Sequence, residues 1–425
     1  MKVVIAGYGV EGKASYNYWR ALGDEVAIAD ERLELPNAPE GAQLLLGPSA
    51  FRELDDFDLI IRSPGVAPKK LPYGDKVWSA TNEFFTMCKS PIIGITGTKG
   101  KGTTSSLIAS ILRAAGETIH LVGNIGVPAL EALPQVKNGD IIVYELSSFQ
   151  LWDACQSPYV AVILGIEPDH LDVHKDFEDY IAAKANIVRY QHEPQVTVWN
   201  QNNEVATHIA QQSEAILLPY PDQDCVYADE NFFWYKGEKL CPTSVLQLPG
   251  KHNIDNACAA ITVCSCFIKE GLAAAVQEGL SSFTGLAHRL KFVAEKHGVS
   301  YYDDSIATTP GSAVAAMQSF DAPKILLLGG SSKGAAYDDV IAAAKVTNTK
   351  VVAMGQTGEA IEQLCSRKGV EVYRETGGMY DVVARAKALA TEGDIVILSP
   401  ASASFDQYKS YADRGDQFIT AVEGL

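Results

Sequence analysis

A glycine-rich stretch that contains two lysines is the part of the sequence best suited to chemistry. Residues 94–107 read GITGTKGKGTTSSL, in which Gly97, Gly100 and Gly102 surround the lysines. Glycines let backbone N–H groups turn toward an anion, and a following helix adds a partial positive charge at its N-terminus. A Walker A loop carries a hydroxyl residue directly after its Gly-Lys pair, where this chain has Gly102. We therefore predict a phosphate-binding loop of variant form.

Within this loop, Lys101 can neutralise the β- and γ-phosphate oxygens of a nucleotide, and Thr103 and Thr104 supply hydroxyls just after the glycine. A purely structural turn is the alternative, but two lysines among three glycines favour phosphate. The predicted nucleotide-binding residues of the loop are Gly97, Thr98, Lys99, Gly100, Lys101, Gly102, Thr103 and Thr104.

Carboxylates and histidines follow two later strand-like runs. Glu145 comes at the end of DIIVYE, where a Mg²⁺ ligand is needed beside a phosphate loop; a solvated glutamate is the alternative. The segment 165–174, GIEPDHLDVH, also follows an apolar run, and its composition favours metal and substrate binding over surface charge. Its ionisable residues are Glu167, Asp169, His170, Asp172 and His174.

The helical pattern FEDYIAAKANIV, residues 177–188, contains Lys184 with Ile181 and Ile187 near it. From this pattern alone we predict an exposed lysine, because a charged side chain in an amphipathic helix is usually solvated.

A second glycine-rich turn lies near the start of the chain. Residues 7–12 read GYGVEG, between the strand-like KVVIA and a helical pattern, and the strand EVAIAD then ends at Asp30. This G-x-G-x-x-G spacing can set a pyrophosphate against a helix N-terminus. Alone the motif is weak: a nucleotide-like ligand, a redox dinucleotide and a structural turn all stay open, the first being favoured. The run FDLIIR then leads into Ser63, Pro64 and Gly65.

These groups must be positioned by a chain that alternates strand and helix patterns. The alternation starts afresh three times, which predicts an α/β fold with parallel sheets in three domains. We expect a Rossmann-like N-terminal domain over 1–89, a P-loop ATPase central domain over 90–284 and a Rossmann-like C-terminal domain over 285–425.

Composition excludes several other classes. The 425 residues carry a net charge of −17, which argues against a nucleic-acid or anionic-membrane surface. The N-terminus lacks the pattern of a signal peptide, and no apolar run reaches the ~18 residues of a membrane span. The eight cysteines are scattered, as expected for buried, reduced thiols in a cytoplasmic protein.

A set of motifs beyond the phosphate loop resembles the Mur ligase family. In order they are TGTKGKGTT, YELSSFQL, EPDHLD, YIAAKANI, HNIDNACAA, HRL, DDSIATTP, LLLGGSSKG and LSPASASFDQYKSYADRGDQF, spanning residues 96–418. The resemblance implies three domains, which bind a UDP-sugar, ATP and an amino acid. It further implies an ATP-dependent ligase that adds D-glutamate to UDP-N-acetylmuramoyl-L-alanine in peptidoglycan precursor synthesis, through an acyl phosphate.

The resemblance also implies roles for single residues. It implies that Lys101, Glu145, His170 and Lys184 are catalytic, with two Mg²⁺ ions held by Thr103, Glu145, His170 and a carbamylated Lys184. This reverses the exposed-lysine prediction. ATP would also be held by Asn253, Asn256, Arg289 and Asp304, with His288 beside Arg289, and the amino acid by Thr308, Lys333, Ser404 and Tyr411. The UDP-sugar would be held by Gly9, Val10, Glu11, Asp30, Glu31, Arg32, Ser63, Pro64, Gly65, Asn124 and Ser147.

Small molecules are thus the expected partners: the UDP-sugar, ATP and glutamate. We expect no nucleic acid, no membrane insertion and a monomer. Three departures from the family pattern keep alternatives open. Ile306 stands where a lysine is expected beside the glutamate pocket, so a ligase for L-glutamate is one alternative. Glu31 replaces a small hydroxyl residue, and K-G-K-G-T is also similar to the loop of folylpolyglutamate synthase.

Two further classes are weaker. An NAD-dependent oxidoreductase would use the first glycine turn and Asp30, yet it leaves the second loop unexplained. A nucleotide-binding regulator without catalysis is disfavoured because Glu145, His170 and Lys184 are all present.

Overall fold

The computed structural model describes residues 1–52, 54–72, 74–248, 250–332 and 336–425. The chain forms two compact units, one made of Met1–Leu246 with Lys251–Phe283 and the other of Gln247–Gly250 with Thr284–Leu425. The predicted α/β class with parallel sheets is confirmed.

The first sheet lies in the first unit and is wholly parallel, in the order β3-β2-β1-β4-β5. Val3, Val4 and Ile5 of its central strand are fully buried, as expected for a parallel sheet covered on both faces. The strands are β1 (Lys2–Ala6), β2 (Glu25–Asp30), β3 (Gln43–Leu46), β4 (Leu59–Arg62) and β5 (Val77–Ser79), with helices α1 (Val10–Ala21) and α2 (Ala80–Met87).

A second parallel sheet in the same unit has the order β11-β10-β9-β6-β8-β7. Its strands are β6 (Ile92–Thr96), β7 (Ile119–Gly123), β8 (Ile141–Glu145), β9 (Val160–Ile163), β10 (His192–Asn200) and β11 (Glu214–Tyr220). The helices that connect its strands are α3 (Lys101–Ala114), α4 (Ala129–Ala132), α5 (Ser148–Leu151), α6 (Phe177–Ala185) and α7 (Glu204–Ala210).

The register of this sheet positions three of the predicted residues. Ile95 pairs with Glu145 and Thr96 pairs with Ile163, so β6, β8 and β9 end side by side at one edge. Glu145 is the last residue of β8, Lys101 begins the helix after β6, and His170 lies in the loop after β9. In such sheets ligands bind at this edge, where strand order reverses.

A small antiparallel sheet completes the first unit and was not foreseen from the sequence. It consists of β12 (Val226–Ala228), β13 (Phe232–Tyr235) and β14 (Glu238–Pro242). Two helices follow, α8 (Lys251–Ser265) and α9 (Leu272–Ser282).

The second unit is built on a sheet of order β15-β16-β20-β17-β18-β19, parallel except for the edge pair β15 and β16. The strands are β15 (Lys291–Lys296), β16 (Val299–Asp303), β17 (Lys324–Leu328), β18 (Lys350–Ala353), β19 (Val372–Arg374) and β20 (Ile395–Leu398). The helices are α10 (Pro310–Gln318), α11 (Asp338–Val346), α12 (Gly358–Lys368), α13 (Met379–Leu389) and α14 (Tyr411–Glu423).

The division into domains at 89/90 and 284/285 stays a prediction, since the first compact unit holds two separate parallel sheets.

Six of the eight cysteines are buried thiols; Cys155 is exposed and Cys266 half-buried, so the expectation of burial is wrong for those two. Among the described residues, no helix combines the length and the apolar character needed to cross a bilayer.

Candidate active site

The first glycine-rich turn needs glycine at both of its ends. Gly7 has a φ of +90°, and a Cβ at Gly12 would lie 2.1 Å from the carbonyl oxygen of Gly7. The Ser63 hydroxyl donates a hydrogen bond to this same oxygen, at 2.6 Å. The turn after β1 is therefore held against the loop after β4, at the carboxyl edge of the first sheet.

A cavity of about 410 Å³ opens at this edge. Nine of the eleven residues assigned to the UDP-sugar line it: Gly9, Val10, Glu11, Asp30, Glu31, Arg32, Ser63, Pro64 and Gly65. The other two do not belong to its lining: Asn124 is exposed after β7, and Ser147 is the N-cap of α5. The structure thus brings most of this predicted set together around one cavity.

Asp30 is committed to contacts within the protein. One of its oxygens accepts hydrogen bonds from the Arg32 backbone N–H and Nε, at 3.0 and 2.8 Å. The other accepts from the Tyr8 N–H and from Arg32 Nη2, both at 2.8 Å. These bonds hold the pKa of Asp30 at about 2. Four donors fill the acceptor positions of this carboxylate, so Asp30 is not free to accept a ribose hydroxyl as the NAD alternative requires.

Glu11 points from the first turn of α1 to the second sheet. Its carboxylate accepts a hydrogen bond from Gln150 Nε2 at 2.5 Å, and burial raises its pKa to about 7. The amide oxygen of Gln150 accepts the backbone N–H of Ser147 at 2.8 Å, closing the N-terminus of α5. The cavity and the segment after β8 are therefore joined by a chain of hydrogen bonds.

A buried ion pair makes a second connection between the two sheets. Arg62, only 1% exposed, donates from Nε and Nη2 to the two oxygens of Asp153, both at 2.6 Å. Its Nη2 also donates to the Phe149 carbonyl at 2.8 Å. Such bidentate pairing is geometrically specific, so it fixes the segment after β8 against the end of β4.

The second glycine-rich turn forms the predicted loop between β6 and α3. Gly97 and Gly100 have φ values of +155° and +84°, and Gly100 is the N-cap of α3. A Cβ at Gly100 would lie 2.5 Å from Asn256 Oδ1. The exposed Lys99 lies at the tip, with Nζ 3.7 Å from Glu167 Oε2. Backbone N–H groups at the start of α3 are thus arranged as an anion site requires.

The two hydroxyls after Gly102 differ in their surroundings. Thr104 is fully buried and donates to Asn256 Oδ1 at 3.3 Å, and Asn256 donates in turn to Asn253 Oδ1 at 3.2 Å. Thr103 is half-buried and, among the described residues, no side chain bonds its hydroxyl. Thr103 is therefore the hydroxyl left for a ligand, and the two asparagines pack behind the loop.

Two lysines meet at one carbonyl oxygen of this loop. Lys101 Nζ donates to the carbonyls of Gly97 and Thr98, at 3.0 and 3.1 Å. Lys184 Nζ donates to the same Gly97 carbonyl at 2.9 Å and lies 3.3 Å from Thr96 Oγ1. Two lysine side chains thereby meet at the point where phosphates would bind.

Lys184 corrects the prediction made from the helical pattern. Its exposure is 1%, not that of a solvated lysine, because the face of α6 that carries it packs onto the end of β6. The Tyr180 ring lies 4.6 Å from Nζ. Burial and the charge of Lys101 lower the pKa of Lys184 well below its ordinary value, which favours the neutral amine.

Glu145 ends β8 beside the phosphate loop and is only 6% exposed, so it is not a solvated glutamate. None of the described residues donates a hydrogen bond to its carboxylate. A buried carboxylate without donors is costly unless a cation completes it, and carboxylate and hydroxyl oxygens are the ligands that Mg²⁺ prefers. Glu145 and Thr103 therefore fit the implied magnesium.

The acidic loop after β9 is mostly at the surface. Glu167 and Asp172 are exposed, and the His170 side chain is 48% exposed, with Nε2 3.6 Å from Asp169. His170 has a φ of +54° and lies against the Phe149 ring at 4.9 Å. No three His, Cys, Asp or Glu side chains of the described residues converge as a metal centre of those types would require.

The second unit places the His-Arg pair at the start of its sheet. His288, with a φ of +59°, bonds Asp303 at 2.7 Å through Nδ1, whereas Arg289 is exposed. Asp304 is 6% exposed and accepts hydrogen bonds from Leu290 N–H and from the Ser399 hydroxyl, at 3.1 and 2.7 Å. Burial raises the pKa of Asp304 to about 7.

The residues assigned to the amino acid follow different strands of this unit. Thr308 is half-buried after β16, Ser404 is 2% exposed after β20, and Tyr411 is 42% exposed at the start of α14. Ile306 is half-buried in the same loop as Thr308. Lys333 lies outside the described residues.

Arg414 was not singled out from the sequence, although it lies within the quoted motif YADRGDQF. It is fully buried and donates to the carbonyl oxygens of Ser305, Ser402 and Ala403, at 2.8, 3.1 and 3.2 Å. It thus ties together the loops that carry Thr308 and Ser404. An arginine in an otherwise polar helical pattern gives no sign of this burial.

Two family models match the chain. The Mur ligase middle domain matches residues 95–264, and the glutamate ligase domain of Mur ligases matches residues 288–402. The middle-domain match includes the phosphate loop, Glu145, His170 and Lys184. The glutamate-ligase-domain match lies in the second unit and includes Asp304 and Thr308.

Relatives of similar length share about a third of the residues. UDP-N-acetylmuramoylalanine--D-glutamate ligase of Symbiobacterium thermophilum is 35% identical, with 100% of this chain and 98% of that chain covered. The enzyme of the same name from Halalkalibacterium halodurans is 32% identical, with 100% and 97% covered. The solved structure of UDP-N-acetylmuramate-alanine ligase MurC from Thermotoga maritima is 18% identical, covers 100% of this chain and 99% of its own, and has a TM-score of 0.62.

Proposed function

The chain belongs to the Mur ligase family, and we propose that it joins D-glutamate to UDP-N-acetylmuramoyl-L-alanine with hydrolysis of ATP to ADP and phosphate. The observation that carries this proposal is the pair Lys101 and Lys184, which share the Gly97 carbonyl. Nearby, the buried carboxylate of Glu145 accepts no hydrogen bond from the part of the chain that the structure describes. The choice of substrates rests on the full-length similarity to UDP-N-acetylmuramoylalanine--D-glutamate ligases.

The reaction proceeds in two steps. The carboxylate of the UDP-sugar attacks the γ-phosphorus of ATP, so that an acyl–phosphate bond forms and the bond to ADP breaks. The amino group of glutamate, after losing a proton to solvent or to a nearby base, attacks the acyl carbon. The tetrahedral intermediate then expels inorganic phosphate and leaves the amide.

The residues of the phosphate loop stabilise charge in the first step. Both reactants are anionic, and Lys101 can turn from the loop carbonyls to the phosphate oxygens without leaving its place at the N-terminus of α3. Backbone N–H groups of residues 99–103 bind the phosphates. Positioning and charge stabilisation therefore supply most of the rate enhancement.

We propose that Thr103 and Glu145 hold Mg²⁺, with His170 and a carbamylated Lys184 at a second ion. Bound magnesium would neutralise the phosphate oxygens and act as a Lewis acid during phosphoryl transfer. The oxygen ligands fit this ion best, whereas the half-exposed His170 is also placed to accept the proton of the incoming ammonium group.

The surroundings of Lys184 support the carbamate. An unprotonated amine can attack the carbon of CO₂, forming an N–C bond and releasing one proton, and the lowered pKa of this buried lysine favours that form. The product is an anion with two oxygens. In place of a buried amine, the site then offers oxygen ligands of the kind that Mg²⁺ takes.

We assign the UDP-sugar to the cavity at the first glycine-rich turn, where Arg32 is half-exposed and fixed by Asp30. We assign glutamate to the second unit, around Thr308, Ser404 and Tyr411, with Lys333. Since ATP and UDP-sugars are made in the cytoplasm, we place the reaction there; we expect the chain to act as a monomer.

Release of inorganic phosphate tests the proposal directly. Purified protein is given ATP, Mg²⁺ and UDP-N-acetylmuramoyl-L-alanine, and either D-glutamate or L-glutamate is added. We expect phosphate release that requires the sugar nucleotide and is faster with D-glutamate. Faster phosphate release with L-glutamate would mean that the chain, with Ile306 in place of the expected lysine, uses the L-stereoisomer. Phosphate release at the same rate with and without either glutamate would refute the proposed ligase activity.

A further inference from the structure

One buried histidine, His174, contacts the segments that carry three of the four proposed metal-binding residues, namely Glu145, His170 and Lys184. Its side chain has no exposed surface. The ring packs against Phe149 and Trp152, at centroid distances of 5.4 and 4.2 Å, and meets Tyr180 edge-on at 5.3 Å. The mechanism described above makes no use of it.

Both ring nitrogens of His174 are engaged. Nδ1 lies 2.8 Å from Asp179 Oδ2 and donates to it, since an ionised carboxylate only accepts. Nε2 then accepts the hydroxyl of Ser148 at 3.0 Å. The histidine is thereby held in one orientation by two partners from different elements.

These partners stand close in sequence to the functional residues. Ser148 begins α5, three residues after Glu145, and Asp179 lies in the first turn of α6, five residues before Lys184. The His174 backbone N–H donates to the carbonyl of His170 at 2.9 Å. A single side chain therefore connects the segments that present Glu145, His170 and Lys184.

We propose that His174 is a positioning residue that holds these three segments in register with the phosphate loop, so that the site binds Mg²⁺ with nucleotide. The inference rests on the proposed function, which it deepens. A ring that only fills space would tolerate phenylalanine, which keeps the volume and the stacking. A positioning role depends on the two hydrogen bonds, which phenylalanine cannot make.

The test uses the full chain and measures binding without turnover. The dissociation constant of ADP in the presence of Mg²⁺ is determined by calorimetry for the wild type and for His174→Phe. We expect about a tenfold weaker affinity, as for other residues that orient metal ligands. His174→Gln, which can restore the bond to Ser148, should recover part of it. The KM for the UDP-sugar should change little.

The matched control is His120→Phe. His120 also bonds a carboxylate, Asp140, at 2.8 Å in the same unit, but at the amino edge of the second sheet. It should leave nucleotide affinity unchanged. Equal affinities of His174→Phe and His120→Phe would overturn the inference, whereas failure of the wild type to bind Mg²⁺ and ADP would overturn the proposed function itself.

A milder pair of variants covers the case in which His174→Phe does not fold. Ser148→Ala and Asp179→Asn each weaken one of the two bonds, and each should lower nucleotide affinity by roughly threefold to fivefold. Wild-type affinity in both, with cooperative thermal unfolding preserved, would also contradict the positioning role.

Discussion

The two glycine-rich turns of the first unit have similar backbones but different ionisable side chains around them. Each connects a buried parallel strand to a helix N-terminus and uses glycines with positive φ. The first, after β1, is surrounded by the carboxylates of Glu11, Asp30 and Glu31. The second, after β6, has Lys101 and Lys184 bound to its own carbonyl oxygen.

This difference indicates how one strand–turn–helix arrangement serves two ligands. The glycines allow a ligand to approach the backbone, but the charged side chains decide what is stabilised there. Around the second turn, Lys101 can offset negative charge that moves during phosphoryl transfer. Around the first, Arg32 pairs with Asp30 and Lys70 pairs with Glu31, while Glu11 accepts a hydrogen bond from the uncharged amide of Gln150. The first turn is therefore suited to recognition by hydrogen bonds.

The largest effect is expected for Lys184→Ala. Loss of the proposed carbamate should lower kcat for phosphate release by roughly 10³-fold, the scale seen when a preorganised charge-stabilising group is removed. Short-chain carboxylic acids should restore part of the rate by supplying oxygen ligands. The control is Lys175→Ala, whose side chain is 86% exposed. If Lys184→Ala turned over at the wild-type rate, the proposed carbamate would have no role in the reaction.

Lys101→Ala should come next, with kcat lower by about 10²-fold and the KM for ATP raised. The KM for the UDP-sugar should stay near the wild-type value, because Lys101 belongs to the second turn only. Lys89→Ala serves as the control, since Lys89 is exposed after α2 and lies outside the phosphate loop. Steady-state phosphate release with each substrate varied provides both constants. An ATP-driven rate that survives intact would contradict the loop assignment.

Arg32→Ala tests the first turn, and it should affect the UDP-sugar and not ATP. We expect the KM for the UDP-sugar to rise about tenfold, the value of one hydrogen bond to a charged group, with the KM for ATP unchanged. Arg20→Ala is the control, because Arg20 is exposed at the last turn of α1. Equal changes in both KM values would mean that the two turns do not bind separate ligands.

The smallest effect concerns the acid of the first turn. The pKa of Glu11 is raised from 4.5 to about 7, so its ionisation opposes folding, and the penalty grows as pH rises through that window. Glu11→Gln should therefore stabilise the protein by about 1 kcal/mol at pH 8, discounted for partial exposure, and by almost nothing near pH 4. Thermal unfolding at the two pH values measures this. A larger gain in stability at pH 4 than at pH 8 would contradict the raised pKa of Glu11.

Much of the frame could be predicted from the sequence. Apolar runs followed by glycines indicated the parallel strands and the two turns, because both signals are local. The small antiparallel sheet over 226–242 was not foreseen, since its short strands lack a clear alternation of apolar and polar residues.

Contacts between distant residues could not be predicted. Lys184 was expected at the surface because a helical pattern does not reveal which face meets another element, and only the family resemblance indicated its role. Arg62 and Asp153 form their ion pair across 91 residues of chain, and His174 collects partners from two helices. The sequence spacing of these residues does not indicate that they are in contact in the fold.

The central claim is that the carboxylate of the UDP-sugar, held at the first turn, is phosphorylated by ATP held at the second. UDP-N-acetylmuramoyl-L-alanine labelled with ¹⁸O in its carboxylate tests this in one measurement. Mass spectrometry of the phosphate released with D-glutamate should show one ¹⁸O atom per phosphate, carried over from the acyl phosphate. Unlabelled phosphate formed together with the amide product would contradict the account.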